Sequence, residues 1–157
     1  MTKVERFFFY FIVLLPFKSL AQEGKTTIVF VCEHGGARST IASAYFNKLA
    51  IENNLPYQSV FRGLTPDSAI TKATRKGLSA DGMETTGLSP AALSLKDATS
   101  NSLLISLDCT APSSYQTYQA WYGIPAITEN YEAARNEILN RLNKLIIELK
   151  MKQSKRK

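Results

Sequence analysis

The feature that most constrains the fold is an apolar run that ends on a cysteine and leads into a glycine-containing loop. Residues 27–32 read TIVFVC, a continuous β-branched and apolar stretch that is typical of a strand buried on both faces. The loop EHGGA follows, and from about Ser39 to Glu52 apolar residues recur at helical spacing. A strand, a loop and a helix in this order form the building unit of folds with parallel sheets.

Strand and helix patterns alternate along the rest of the chain. We predict strands over 57–61 and 103–107, helices over 69–80 and 95–98, and a closing amphipathic helix capped by Thr128. This alternation predicts an α/β fold, a three-layer sandwich around a central parallel, doubly wound sheet of about four strands. In such folds the ligand crevice lies at the carboxyl ends of the strands, so the loop after Cys32 would face it.

The first 21 residues have the pattern of a targeting segment. Lys3 and Arg6 precede an apolar run from Phe7 to Phe17, and Ser19-Leu20-Ala21 offers small residues to a signal peptidase. We predict a signal peptide over 1–21, a domain over 22–149, and an exported protein, periplasmic or secreted, with no stable membrane anchor after cleavage. An uncleaved anchor is the alternative, although the run is short for a membrane span.

The net charge of +6 is concentrated at the two ends of the chain. The first 21 residues carry +2 and residues 150–157 carry +5, which leaves −1 for the middle. A lysine-rich end of this kind is typical of a solvated tail, so we predict a basic tail over 150–157 and expect no nucleic-acid partner.

The loop after the first strand combines a cysteine with groups that bind oxyanions. Glycines accept positive φ angles, so backbone amides of the loop can point inward as a nest, and the following helix adds its positive end. Arg38 supplies a two-pronged donor, while the positive field favours the thiolate of Cys32 and Ser39 can steady the sulfur. We predict Cys32 and Arg38 as catalytic residues. The predicted substrate-binding residues are Glu33, His34, Gly35, Gly36, Ala37 and Ser39.

The spacing of Cys32, Arg38 and Ser39, between an apolar strand and a helix, resembles the motif of two related enzyme groups. These are the low-molecular-weight protein tyrosine phosphatases and the thioredoxin-coupled arsenate reductases of the same fold. Weaker matches are Arg62-Gly63-Leu64, residues 77–87, Leu107-Asp108 and residues 121–125. The resemblance implies a phosphomonoesterase that acts on an aryl phosphate or phosphotyrosine through a phosphocysteine intermediate, with no cofactor or metal. Arsenate reduction, with arsenate as substrate, and oxyanion binding without catalysis are the alternatives.

The chain departs from that pattern at the general acid. The family has an aspartate directly before a proline in the late loop, whereas this chain reads Gly123-Ile124-Pro125, and Ile124 has no proton to donate. We predict that Asp108 takes the catalytic role, with a loop-bracing carboxylate as the alternative. Glu33 and Glu129 are weaker candidates for the acid. The family's loop also usually has an asparagine where Gly35 stands.

Three other features have two interpretations each. Cys109 is either a buried structural residue or a disulfide partner of Cys32, a pairing that the arsenate reductase resemblance implies. His34, the only histidine, is a loop residue that faces either solvent or substrate. The aromatic residues Tyr118, Trp121 and Tyr122 either line the mouth of the pocket or pack on the core.

Overall fold

A computed structural model describes residues 25–155 of the 157-residue chain. The strands are β1 (Thr26–Cys32), β2 (Tyr57–Gly63), β3 (Ser102–Leu107) and β4 (Thr117–Trp121). The α-helices are α1 (Arg38–Glu52), α2 (Lys72–Ala80) and α3 (Tyr131–Ser154), and a 3₁₀ helix spans Leu95–Asp97. The predicted signal peptide over 1–21 lies outside the described residues.

The four strands form one parallel sheet in the order β2-β1-β3-β4, which confirms the predicted α/β fold. In this register Cys32 at the end of β1 stands opposite Gly63 at the end of β2, and Val31 stands opposite Ser106 of β3. Because parallel strands all end at the same edge of the sheet, the loops after β1, β2, β3 and β4 meet there.

The two faces of the sheet are covered differently. On one face Ile28 and Phe30 of β1 lie in the main core with the buried faces of α1, α2 and α3. On the other face Val31, Leu104 and Cys109 form a smaller core. This smaller core is covered by Leu64, Leu93, Ala111 and Tyr115. Near it, a 3₁₀ turn over Leu95–Asp97 stands where a helix over 95–98 was predicted.

A buried aromatic cluster ties α1 and β4 to the central strand. The ring of Phe30 lies 5.8 Å from that of Phe46 on α1 and 5.7 Å from that of Trp121 on β4, between centroids. Trp121 therefore packs on the core. Tyr118 contacts Glu148 and Lys152 of α3, and Tyr122 is exposed at the strand end.

An acidic residue after α2 joins the three α-helices. The carboxylate of Asp81 accepts hydrogen bonds from the hydroxyls of Tyr45 (2.6 Å) and Tyr131 (2.7 Å) and from the guanidinium of Arg135 (2.9 Å). Burial, together with the bond to Asp81, raises the pKa of Tyr45 to about 12. These contacts fix α1, whose first turn carries the arginine of the motif.

The structure corrects the predicted bounds of the last helix and adds a strand. The last helix begins at Tyr131, where the side chain of Asn130 rather than Thr128 caps it by accepting from the amide of Ala133. The same helix runs to Ser154, so most of the predicted tail is helical, and β4 was not predicted at all. Among residues 25–155, no helix is long and apolar enough to cross a membrane.

Candidate active site

Cys32 lies where β1 ends, and the loop 33–37 connects it to α1. The thiol is buried, with 5% of the residue exposed, and its sulfur lies 3.2 Å from the hydroxyl oxygen of the fully buried Ser39. The carbonyl oxygens of Gly35 (3.2 Å) and Arg62 (3.3 Å) also lie within reach of this hydroxyl, so its one hydrogen has three acceptors nearby.

The loop is held from outside by the segment that follows β2. Four loop carbonyls accept hydrogen bonds from backbone amides of that segment: Cys32 from Leu64 (3.1 Å), Glu33 from Thr65 (2.9 Å), His34 from Asp67 (3.0 Å) and Gly36 from Thr71 (2.9 Å). The fifth carbonyl, that of Gly35, accepts from the hydroxyls of Thr40 (2.7 Å) and Ser39 (3.2 Å). Five successive carbonyls therefore point away from the centre of the loop.

The amides of the loop point the opposite way. In a trans peptide the C=O of one residue and the N–H of the next are antiparallel, so the outward carbonyls of residues 32–36 turn the N–H groups of residues 33–37 inward. Within the described part of the chain, none of these five amides donates to a protein acceptor. Successive inward N–H groups at the start of a helix form a site for an anion of phosphate shape.

Two glycines bring the loop against the end of β2. Gly35 has a φ of 69°, which glycine adopts without the steric cost of a side chain. A Cβ on Gly63 would lie 2.9 Å from the nitrogen of Gly35 and 2.9 Å from the carbonyl carbon of His34. The close approach of these two backbones is what lets residues 64–71 reach the loop carbonyls.

Arg38, in the first turn of α1, is oriented by the loop after β4. Its Nε and Nη2 donate to the carbonyl of Ile124 at 3.3 Å and 3.1 Å, and its Nε lies 3.2 Å from a carboxylate oxygen of Asp108. The guanidinium is partly exposed, so part of it remains open to an oxyanion.

Asp108 has a positive φ of 47°, and its carboxylate is occupied by three donors. It accepts from the amides of Gly123 (2.6 Å) and Ile124 (3.0 Å), and it forms the ion pair with Arg38. Each of these bonds uses the carboxylate as an acceptor. The geometry therefore matches the loop-bracing alternative better than the predicted role of proton donor.

Cys109 lies next to β1 on the second face of the sheet. Its sulfur donates to the carbonyl of Val31 at 3.5 Å, and 9% of the residue is exposed. Burial raises the pKa of the Cys109 thiol to about 11, and the neighbouring Cys32 adds to this rise. Both cysteines are free thiols in this structure.

The rim of the loop carries three ionisable side chains. Nδ1 of His34 lies 3.3 Å from the carbonyl oxygen of Thr65 and 3.7 Å from a carboxylate oxygen of Asp67. The carboxylate of Glu33 accepts from the hydroxyl of Thr65 at 2.9 Å. Glu129 is exposed before α3, where no described contact ties it to the loop.

Sequence reasoning missed Thr40 and the segment 64–71. Thr40 is buried and makes the shorter of the two hydroxyl bonds to Gly35, and a polar residue on the buried face of α1 was the available signal. The segment acts through backbone amides, which leave little trace in a sequence beyond Gly63. No group of three or more metal-ligating side chains occurs among residues 25–155.

A cleft of about 490 Å³ lies elsewhere, between residues 97–104 and 114–118 at the start of β3 and β4. Its lining includes no residue of the loop 32–39. The cleft is therefore separate from the loop after β1, whose distinguishing feature is its hydrogen-bonding geometry.

Solved structures of two protein classes share this fold, although no family model and no curated protein matches the sequence. YfkJ from Bacillus subtilis aligns with a TM-score of 0.69 at 18% identity, covering 80% of this chain and 95% of that chain. A low-molecular-weight protein tyrosine phosphatase from T. tengcongensis aligns with 0.65 at 15% identity (78% and 99% covered). An arsenate reductase from Archaeoglobus fulgidus aligns with 0.60 at 21% identity (76% and 98% covered). The fold is therefore the one that the motif resemblance implied.

Proposed function

We propose that this protein is a cysteine-dependent phosphomonoesterase that acts on aryl phosphates or phosphotyrosine. One observation carries the proposal: the carbonyls of residues 32–36 are all held away from the centre of the loop, which turns the amides of residues 33–37 inward next to Cys32. Solved structures of the same fold include a low-molecular-weight protein tyrosine phosphatase and an arginine phosphatase.

The chemistry follows from the positions of three side chains. The thiolate of Cys32 attacks phosphorus, a sulfur–phosphorus bond forms, and the bond to the leaving oxygen breaks with its electron pair on that oxygen. Arg38 and the loop amides hold the equatorial oxygens as their charge develops. Water then attacks phosphorus, and the electron pair of the sulfur–phosphorus bond returns to Cys32, whose thiolate Ser39 stabilises.

The test is turnover of an aryl phosphate by the full chain and by Cys32→Ser. We expect the wild type to release phosphate, and an acid quench during turnover should trap a phosphoryl group on Cys32. The serine variant should bind phosphate or vanadate but turn nothing over. Binding of phosphate by a wild-type protein that shows no turnover would support the oxyanion-binding alternative and contradict our proposal.

Arsenate reduction is the second candidate, and the position of Cys109 favours it. Reduction of arsenate to arsenite needs two electrons, which Cys32 and a second thiol supply as they form a disulfide. Cys109 lies one strand away from Cys32, but burial raises its pKa to about 11, so at neutral pH it is a weak nucleophile. Thiol-dependent loss of arsenate, abolished by Cys109→Ser, would identify this activity.

We further propose that the protein is exported and that its mature chain begins near Gln22. The support is the sequence pattern of residues 1–21 alone. Mass spectrometry of protein from the exported fraction should show this new amino terminus, whereas an intact Met1 there would contradict the proposal.

A further inference from the structure

The site lacks a proton donor at the position where the resemblance places one. Ile124 is buried and apolar, and its carbonyl binds Arg38. The carboxylate of Asp108 accepts hydrogen bonds from the amides of Gly123 and Ile124 and pairs with Arg38, so it acts as an acceptor. A phosphoryl ester with a poor leaving group needs a proton on the departing oxygen, and this proton must come from another side chain.

His34 has the required chemistry and stands on the loop itself, two residues after Cys32. A carbonyl oxygen only accepts hydrogen bonds, so the contact of 3.3 Å with Thr65 places a hydrogen on Nδ1. The second ring nitrogen, Nε2, has no protein partner among the described residues, and 62% of the side chain is exposed. Nε2 is therefore the nitrogen that is free to exchange a proton with a bound ester or with water.

Asp67 lies near the same nitrogen of the ring. Its carboxylate lies 3.7 Å from Nδ1, and its amide donates to the carbonyl of His34 at 3.0 Å. The carboxylate also lies beside the loop, because a Cβ on Gly36 would meet it at 3.6 Å. The carboxylate of Asp67 is therefore placed to hold the orientation of the ring through Nδ1.

The other charged groups near the ring do not compete for this role. Glu33 accepts from the hydroxyl of Thr65, and carboxylates ordinarily hold no proton at neutral pH. Arg38 is always charged and binds on the side of Ile124, and Cys32 is the nucleophile. Imidazole is the side chain that both gives and takes a proton near neutral pH.

We propose that His34 is the general acid of this site and that Asp67 is its positioning residue. This rests on the proposed phosphatase function. As the bond between phosphorus and the leaving oxygen breaks, the electron pair on that oxygen takes the proton of Nε2, which leaves a neutral imidazole. In the second step Nε2 accepts a proton from the attacking water, and the imidazolium is restored.

The experiment measures kcat/KM for a series of aryl and alkyl phosphates against the pKa of the leaving group. His34→Asn retains an amide that can donate to Thr65 but has no proton to transfer. We expect this variant to lose about 10²- to 10⁴-fold on the poorest leaving groups and little on the best. Asp67→Asn should lower kcat on poor leaving groups by a smaller factor and leave KM nearly unchanged, because the carboxylate no longer positions the ring.

Two variants serve as matched controls. Glu33→Gln removes another ionisable group from the same rim, and Asp108→Asn removes the acid suggested by position. We expect neither to steepen the dependence on the leaving group. Phosphate affinity of every variant, measured by calorimetry, shows whether the loop is still folded.

Two outcomes would overturn the proposal. A His34→Asn variant that keeps the wild-type dependence on leaving group, or that loses the same factor on all esters, shows that His34 is not the acid. If the wild type fails to cleave even the esters with the best leaving groups, the proposed function itself fails, and the role of His34 falls with it.

Discussion

The contact between Gly35 and Gly63 is the point at which the site is most sensitive to one added methyl group. In Gly63→Ala the new Cβ would lie 2.9 Å from three backbone atoms, which belong to Gly35, His34 and Pro66. Backbone atoms cannot rotate aside as a side chain can. The loop must therefore move away from β2, and the bonds from residues 64–71 that turn its amides inward must lengthen.

The expected loss of unfolding free energy has two parts, one from overpacking and one from a positive φ angle. Overpacking of this kind costs about 1–3 kcal/mol, which is the effect that we expect for Gly63→Ala. Gly35→Ala meets the same backbone and also places an alanine at a φ of 69°, which adds about 1–2 kcal/mol for a total of about 2–5 kcal/mol. Gly87→Ala is the control, because Gly87 has a φ of 76° with nothing within 4 Å of its Cβ position.

Urea unfolding of the three variants gives the two costs, and phosphate binding gives the functional consequence. Phosphate should raise the melting temperature of the wild type and of Gly87→Ala, because a ligand that binds only the native state stabilises it. The rise should be small or absent in Gly63→Ala. A Gly63→Ala variant that unfolds at the wild-type urea concentration and keeps the full phosphate-dependent rise in melting temperature would refute this expectation.

Three other perturbations test separate parts of the site. Arg38→Lys should reduce kcat/KM severely, because a point charge cannot make paired contacts with an oxyanion, and near-normal kinetics would count against that role. Thr40→Val removes the 2.7 Å hydrogen bond to the buried carbonyl of Gly35, so it should lower the free energy of unfolding by about 1–3 kcal/mol in a denaturant titration and weaken phosphate binding. Unchanged values of both would contradict the role of Thr40 in bracing the loop. The pKa of Cys109 is raised to about 11, so its alkylation should be slow at neutral pH and should accelerate only as the pH approaches that value. Phosphate should protect Cys32 from alkylation. Peptide mapping that finds Cys109 modified first at neutral pH would show that it is not buried as described.

The sequence predicts the centre of the fold better than its edges. The strand β1 is a continuous apolar run because both of its faces are buried, and such a run has few alternative interpretations. The edge strand β4 buries mainly Trp121, leaves Thr117 and Ala120 exposed, and pairs with β3 through a register shift, so neither alternation nor an apolar run marks it. Its aromatic residues were consequently interpreted without knowledge of the strand that carries them.

The basic end of the chain shows a second limit of sequence reasoning. Its lysines predict a solvent-exposed tail, but the ammonium group of Lys152 lies 4.2 Å from the centre of the Tyr118 ring, which β4 supplies. The helix continues there because of a tertiary contact about thirty residues away in the sequence. No local pattern contains this information.

Within the proposed site, the side chains of the motif could be singled out from the sequence, and the groups that shape the loop could not. Cys32, Arg38 and Ser39 have few functional equivalents, so their spacing is informative. Asp108 was found by its position at a strand end, but its role depends on the amides of Gly123 and Ile124, which only the structure shows.

The support that residues 64–71 give to the loop depends on main-chain N–H groups, and every amino acid except proline supplies one. Pro66 occurs at a position whose nitrogen makes none of the four bonds, between Thr65 and Asp67, which both donate. Mutation can therefore replace most side chains of this segment over evolutionary time without loss of the anion site, provided that Gly63 remains. Divergence of this kind leaves a shared fold at 15–21% identity and erases the similarity that a comparison of sequences needs.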